Sequence, residues 1–266
     1  MSSDAGQLTV VGVGYRVAGQ VTVEAEAQLR HADCVFYLLN ERITAYWLEG
    51  LNSQCSSLAD CYVHGSPSIE AAEAMADRIL AALDEGRNVC AAFDGHPTTY
   101  VPPLVFALQK ARQKGYPVTI LPGVSAIDCL FADLGVDPAL HGWQVFDATH
   151  FLLHQPRFDI GSTLVLLQIA SIGVHLYEKE NLRRQARLQV LVEVLSESYS
   201  ADQEVVLYEA SPYPVSPPRI ERLPLQELAG ADVRINSTLY VPPRPRDALD
   251  SQMIERLGLD ESLSSA

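Results

Sequence analysis

The residues in this 266-residue chain whose types could do chemistry fall in four short segments. The first is a glycine loop, GVGYRVAG, in which Gly12, Gly14 and Gly19 follow the apolar run LTVVGVG. Glycine lets a backbone come close to a ligand, and ligands of open α/β sheets sit beyond the carboxyl ends of the strands. The third glycine stands five residues after the second, where a dinucleotide fingerprint needs three, so the loop is either a plain turn or a site for some other ligand. The second segment, PGVSA, sets Ser125 at a helix start, where its hydroxyl and the helix N-terminus offer donors to a polar ligand. It is not a GxSxG elbow, so acyl-enzyme hydrolysis is not expected. In the third, Gln168 ends the apolar run TLVLLQ, and its amide must either satisfy a neighbouring backbone or grip a ligand. In the fourth, His150 and His154 share a helix face in ATHFLLHQ, but no third ligand stands at useful spacing, and no metal is expected.

The elements that must position these residues alternate in type. Leu8–Gly14 reads as a buried parallel strand running into a loop, and Thr22–His31 as a helix with a threonine start and an acidic first turn. Cys34–Leu39 is a strand. Ser66–Gly86 is a helix with Ile69, Ala72, Met75, Ile79, Leu80 and Leu83 at helical spacing. Strand Asn88–Phe93, helix 102–114, strand Val118–Leu121 and helix Ser125–Leu134 continue the pattern, which predicts a parallel sheet covered by helices on both faces. Beyond it, strand Thr163–Ile169, a charged helix around Asn181–Ser198, strand Glu204–Glu209, the turn-rich SPYPVSPP, IERLPL and STLYVPP predict a mixed sheet with few helices. The expected organisation is an N-terminal parallel-sheet lobe over 1–142, a C-terminal mixed-sheet lobe over 143–243, and a tail over 244–266 with one short amphipathic helix.

Composition narrows the functional classes. A formal charge of −14 would repel polyphosphate, which argues against DNA or RNA as a partner. Five cysteines without a CxxC pair suggest neither a disulfide framework nor a cysteine zinc site. Apolar runs are far shorter than the roughly 18 residues of a membrane helix, and Met1–Gln7 lacks the basic and apolar character of a signal segment, so a cytoplasmic protein without membrane association is expected.

Six blocks in order resemble the tetrapyrrole (corrin/porphyrin) methylase superfamily. They are VGVGYRVAGQVTVEAEAQLRHADCVF, FDGHPTTYVPP, LPGVSAIDCLFADLGVDP, LLQIASIGV, VVLYEA and STLYVPP, and together they cover roughly residues 8 to 243. The GHP form of the second block and the whole of the third are closest to borosin-type peptide backbone α-N-methyltransferases. The resemblance implies two α/β lobes with S-adenosylmethionine folded in the cleft between them and S-adenosylhomocysteine as product. The positions it carries over for the cofactor are Gly12 and Gly14, Asp94, Gly95, His96, Pro97, Tyr100 and Val101, Ser125 and Ala126, Gln168, Ala210, Ser237 and Thr238. It also implies a homodimer.

The chain departs from those relatives around the helix that begins near Ser66. An amide nitrogen is a poor nucleophile until its proton is withdrawn or the imidate form is stabilised. Tyr62 matches one tyrosine of the relatives, but the positions where they carry arginine and a further tyrosine are Ser68 and Ala72 here, leaving Tyr62, His64 and Tyr100 as the candidate catalytic groups. On its own Tyr62 reads as a half-buried packing residue, and Glu70 and Glu73 as a solvated helix face. The residues after Pro243 do not read as an apolar core peptide, so a peptide substrate is expected as a separate precursor chain. Two other readings stay open: methylation of a tetrapyrrole or another small molecule, and a catalytically inactive subunit that keeps the donor pocket.

Overall fold

The computed structural model describes residues 6–177, 183–245 and 249–259. Residues 178–182 at the expected start of the charged helix, and 260–266 of the expected tail, lie outside them.

The first sheet has five strands in the order β3-β2-β4-β1-β5. These are β1 (Gln7–Gly12), β2 (Cys34–Leu38), β3 (Cys55–Ser57), β4 (Asn88–Phe93) and β5 (Val118–Leu121), and every pairing is parallel. Their near-continuous apolar runs suit a sheet buried on both faces. On one face α1 (Val23–His31) and α2 (Arg42–Leu51) bury Ala25, Leu29 and Leu48 against Val11, Val35 and Ala92. On the other, α3 (Ser68–Asp84) and α4 (Pro102–Gln113) bury Met75, Ile79, Leu83, Leu104 and Ala107 against Leu8, Val10, Ala91 and Phe93. The ends of α1 follow from its sequence: Thr22 Oγ1 accepts from the Ala25 amide at 3.1 Å, and Glu24 and Glu26 occupy the positive first turn.

Helix α5 (Ala126–Leu134) differs from the expectation that it covers this sheet. Its Cys129 and Leu130 pack with Val165, Val206, Tyr208 and Tyr240 of the second sheet, so α5 precedes that sheet in the chain and belongs to it by packing. A helix packs wherever its apolar stripe finds a matching face, which chain order does not fix. Gly135 ends α5 at φ 65°, the left-handed conformation that glycine adopts without penalty.

After α6 (Pro138–His141) the second sheet runs β6-β7-β10-β8-β9, from β6 (Trp143–Asp147), β7 (Thr163–Leu167), β8 (Glu204–Glu209), β9 (Arg219–Pro224) and β10 (Thr238–Val241). Only β6 and β7 pair in parallel, so the sheet is mixed. Strand β7 shows how alternation divides the two faces. Leu164 and Leu166 point into a core with α7 (Ala148–His154) and α8 (Arg184–Ser196), whereas Val165 points to α5. Each such side chain contributes roughly 1.5–3 kcal/mol by burial. The described part of the tail holds α9 (Ser251–Arg256).

The two lobes are tied directly. Pro67 and Leu176 form an antiparallel bridge, with Gly65 N donating to Tyr177 O and Tyr177 N to Ser66 O, both at 2.8 Å. Tyr62 and Tyr177 stack with centroids 4.7 Å apart. All five cysteines are free thiols. Among the described residues no helix is long and apolar enough to cross a membrane.

Candidate functional site

Parallel strands in one sheet release their chains at the same edge, and here those loops face the second lobe across a cavity of about 570 Å³. That volume lies within the range of small-molecule sites. The first lobe contributes the loop after β1 through Tyr15, the end of β2 through Leu39 and Asn40, and the loop after β4 through Asp94, His96 and Tyr100. Val101, which precedes α4, and Ser125 and Ala126 at the start of α5 complete that side. The second lobe contributes Gln168, Val174, Tyr177 and the run Ile235–Thr238.

The glycines act one layer behind the cavity. A Cβ on Gly12 would stand 2.2 Å from the carbonyl oxygen of Gly95, and one on Gly123 would stand 2.6 Å from the same atom. The loops after β1, β4 and β5 therefore touch backbone to backbone. Gly14 (φ 70°) and Gly95 (φ 65°) form a bridge, with Gly95 N donating to Gly14 O at 3.0 Å. Gly95 is also where the ring of Tyr15 rests, 2.8 Å from where a Cβ would be. Gly12, Gly14, Gly95 and Pro97, expected at the cofactor, thus do not line the cavity. The three glycines let its loops approach, because the space a side chain would take is filled by the Gly95 carbonyl and the Pro97 ring at Gly12, by Gln20 at Gly14 and by the Tyr15 ring at Gly95. Ala210 packs behind it with the α5 face of the second sheet. His64, expected as a catalytic candidate, stands exposed in the turn before α3, outside the cavity lining.

Among the described residues with positive φ that are not glycine, Tyr100 (φ 55°) and Gln168 (φ 59°) both line the cavity. Such backbone is sparsely populated for these residue types, and the surrounding fold must impose it. Ser125 is engaged in a full capping box: its Oγ donates to Asp128 Oδ2 at 2.7 Å and accepts from the Asp128 amide at 3.1 Å. The hydroxyl proton expected to serve a ligand is therefore already committed to the helix start, and Ser125 presents acceptor capacity and backbone instead.

Electrostatics single out Asp94. Burial pushes its carboxyl up from 3.8 to about 6; the Asn40 amide, donating at 2.7 Å, pulls the other way, and nearby Glu41 adds to the rise. Burial also pushes Tyr15 up to about 12, with Asp94 contributing. Tyr62 and Tyr100 are raised as well, both chiefly by burial, with Tyr177 acting on the first and Asp147 on the second. The phenols of Tyr15, Tyr62 and Tyr100 thus stay protonated near neutral pH, and all three residues belong to the cavity lining. Along α3, Ser68 and Ala72 line the wall with small side chains. His150 and His154 sit edge-on, 5.7 Å apart, on α7, away from the cavity lining.

The profile of the Tetrapyrrole (Corrin/Porphyrin) Methylases matches residues 7–229. The chain belongs to the tetrapyrrole methylase family. Among its curated relatives is a methyltransferase/ribosomally synthesized cyclic peptide gymnopeptides precursor of Gymnopus fusipes, 33% identical over 96% of this chain and 61% of its own length. The corresponding omphalotin A precursor of Omphalotus olearius is 33% identical over 96% of this chain and 62% of its length. A type I borosin cyclic peptide precursor of Coprinopsis marcescibilis is 32% identical over 97% of this chain and 68% of its length. The chain therefore spans a little over three fifths of the first two relatives. Among solved structures, uroporphyrin-III-C-methyltransferase from Thermus thermophilus superposes with a TM-score of 0.64 at 22% identity, over 91% of this chain and 98% of that one, which establishes the shared two-lobed fold.

Several lining residues of this family member escaped the sequence reading. Tyr15 sits beside the glycine loop and was signalled by that neighbourhood. Asn40 carried no local signal because the β2–β4 pairing brings it to Asp94, and Tyr177, Ile235 and Asn236 carried none because their place depends on how the second lobe meets the first.

Proposed function

We propose that this chain is an S-adenosylmethionine-dependent methyltransferase that N-methylates backbone amides of a peptide. The observation that carries the reading is the cavity between the lobes, with a half-buried carboxyl, Asp94, among loops that three glycines bring together. The peptide part is supported by relatives whose names join a methyltransferase to a cyclic peptide precursor.

The donor supplies an electrophilic methyl on a cationic sulfonium, and the residues fit such a group. Asp94 offers negative charge in a partly desolvated place, and Ala126, Gln168, Ser237 and Thr238 supply small and polar wall positions. The protein's part is to hold donor and amide in line and keep water out, an entropic advantage. With their protons retained, Tyr62 Oη and Tyr100 Oη serve as donors to the amide oxygen, favouring the imidate character that makes the nitrogen nucleophilic. They are proposed as polarising groups and not as bases: as the nitrogen–methyl bond forms and the sulfur–methyl bond of the donor breaks, the amide proton passes to water at the rim, where Tyr100 is exposed. The reading extends to a homodimer acting in the cytoplasm, the dimer being tested by light scattering.

The experiment is titration of the purified chain with donor by calorimetry, followed by incubation with donor and candidate peptides encoded beside its gene. Masses of peptide and protein are then read for methyl increments, so that methylation within the chain and on a separate chain are told apart. Increments confined to the backbone of either support the reading. Donor binding with no increment anywhere sinks it in favour of a non-catalytic donor-binding subunit, the alternative that the small Ser68 and Ala72 on the α3 wall favour.

A further inference from the structure

The run Ile235–Thr238 forms part of the second-lobe wall, and Ile235 and Asn236 lie exposed between residues that form a closed turn. Ser237 N donates to Arg234 O at 2.9 Å, and Arg234 N donates back to Ser237 Oγ at 2.8 Å. Such a turn, with its tip exposed, is not held by apolar burial. Its anchor is Glu209, the last residue of β8, whose Oε1 accepts from Ser237 Oγ at 2.7 Å and from Arg219 Nη1 at 2.7 Å.

Arg219, at the start of β9, is shared further. Its Nη1 also donates to the Asp232 carbonyl at 2.7 Å, and its Nη2 to Glu221. Asp232 in turn accepts from Arg234 Nε at 2.8 Å. One guanidinium therefore reaches both the strand that carries Glu209 and the segment leading into the turn, in the planar geometry that arginine alone provides. Side-chain exposure is 14% for Glu209 and 21% for Arg219, low enough for these bonds to be shielded from water. By contrast, Arg222 and Glu204 on the same two strands form a bridge at 2.8 Å with exposures of 54% and 56% and touch no part of the cavity.

We propose that Glu209 and Arg219 are positioning residues that clamp the 234–237 turn and so shape the donor-binding wall. Neither lines the cavity; Glu209 acts through Ser237 and, at 3.7 Å, Arg234, and Arg219 through Glu209 and the Asp232 carbonyl. The inference rests on the donor-binding reading above. A carboxylate fixes the direction of the Ser237 proton, because it can only accept; an amide in its place can present a donor and release that hydroxyl.

The test compares donor affinity, by calorimetry well below the Tm, for the wild type, Glu209→Gln, Ser237→Ala, their double variant and Arg222→Gln. Glu209→Gln is expected to weaken donor binding about tenfold, the scale of one charge-assisted hydrogen bond. Ser237→Ala should do the same, and the double variant should be no worse than either single, as coupled positions require. Arg222→Gln should leave affinity unchanged. If turnover is measured, the donor KM should rise while kcat holds, which a loss of overall stability would not produce. A Glu209→Gln protein that binds donor like the wild type, even with a lowered Tm, overturns the clamp alone. A wild type that binds no donor sinks the functional reading and the clamp with it.

Discussion

The two walls of the cavity are held by different physics. The first-lobe wall is set by steric exclusion, since the loops after β1, β4 and β5 approach until Gly12, Gly95 and Gly123 leave no room for a methyl group. The second-lobe wall is set by polar bonds over longer spans of chain: the left-handed turn at Gln168, and the Glu209–Arg219 clamp on the 234–237 turn. A wall built by exclusion tolerates no added volume. A wall built by charge tolerates volume but responds to the loss of a partner and to solution conditions.

The sharpest break of this contrast is Gly12→Ala. The new methyl meets the Gly95 carbonyl oxygen, a backbone atom that cannot swing aside, so a loss of more than about 3 kcal/mol is expected in urea denaturation. A loss below 1 kcal/mol would mean that the loops are not packed as described. Next is Arg219→Met, which keeps the aliphatic stem and removes the fork. It leaves Glu209 low in exposure with only the longer contact to Arg234, at 3.7 Å, and should cost about 2 kcal/mol, with the Gly12 variant insensitive to salt by comparison.

Asp94 tests the polar side of the first wall. Its folded-state carboxyl is raised from 3.8 to about 6, so the folded protein holds this proton more tightly than the unfolded chain does. The resulting stabilisation is fully present below the unfolded value and is lost as pH rises through the folded one. Asp94→Asn should therefore raise Tm at neutral pH, leave it nearly unchanged at pH below 3.8, and flatten the slope in between. A variant with the parent's pH profile would show that another group dominates.

A smaller effect tests where the walls meet. Tyr62→Leu keeps bulk and removes the stack on Tyr177, at about 0.5–1.5 kcal/mol, read as faster amide exchange at Gly65 and Tyr177, whose backbone bonds join the lobes. The smallest is Glu26→Ala on exposed α1, where the bridge to Arg30 should contribute no more than about 0.5 kcal/mol and affect neither wall.

Legibility from sequence follows the same division. Strands β1, β4 and β5 were visible as apolar runs ended by glycine or proline, and α3 as a helical stripe, because local pattern decides them. Helix α2 and the short β3 went unread: ERITAYWLEGL mixes polar and apolar residues without a marked start, and Glu41 caps no amide with its side chain. Asp94, His96, Gln168, Ser237 and Thr238 were reached through the resemblance and do line the cavity. The clamp was not legible, since Glu209, Arg219 and Ser237 are brought together by antiparallel register between β8, β9 and β10. The same holds for Tyr177, which meets Tyr62 only because Pro67 and Leu176 bridge the lobes.

The contact among Gly12, Gly95 and Gly123 also bears on how such a site could diversify. At these three positions behind the cavity no side chain can be added, so descendants of this scaffold would alter the shape of what they accept at the lining residues instead. Ser68 and Ala72 on α3 are the open ground there: two small residues facing the cavity from a rigid helix, where a single bulkier residue would redraw the space without disturbing the loops beneath it.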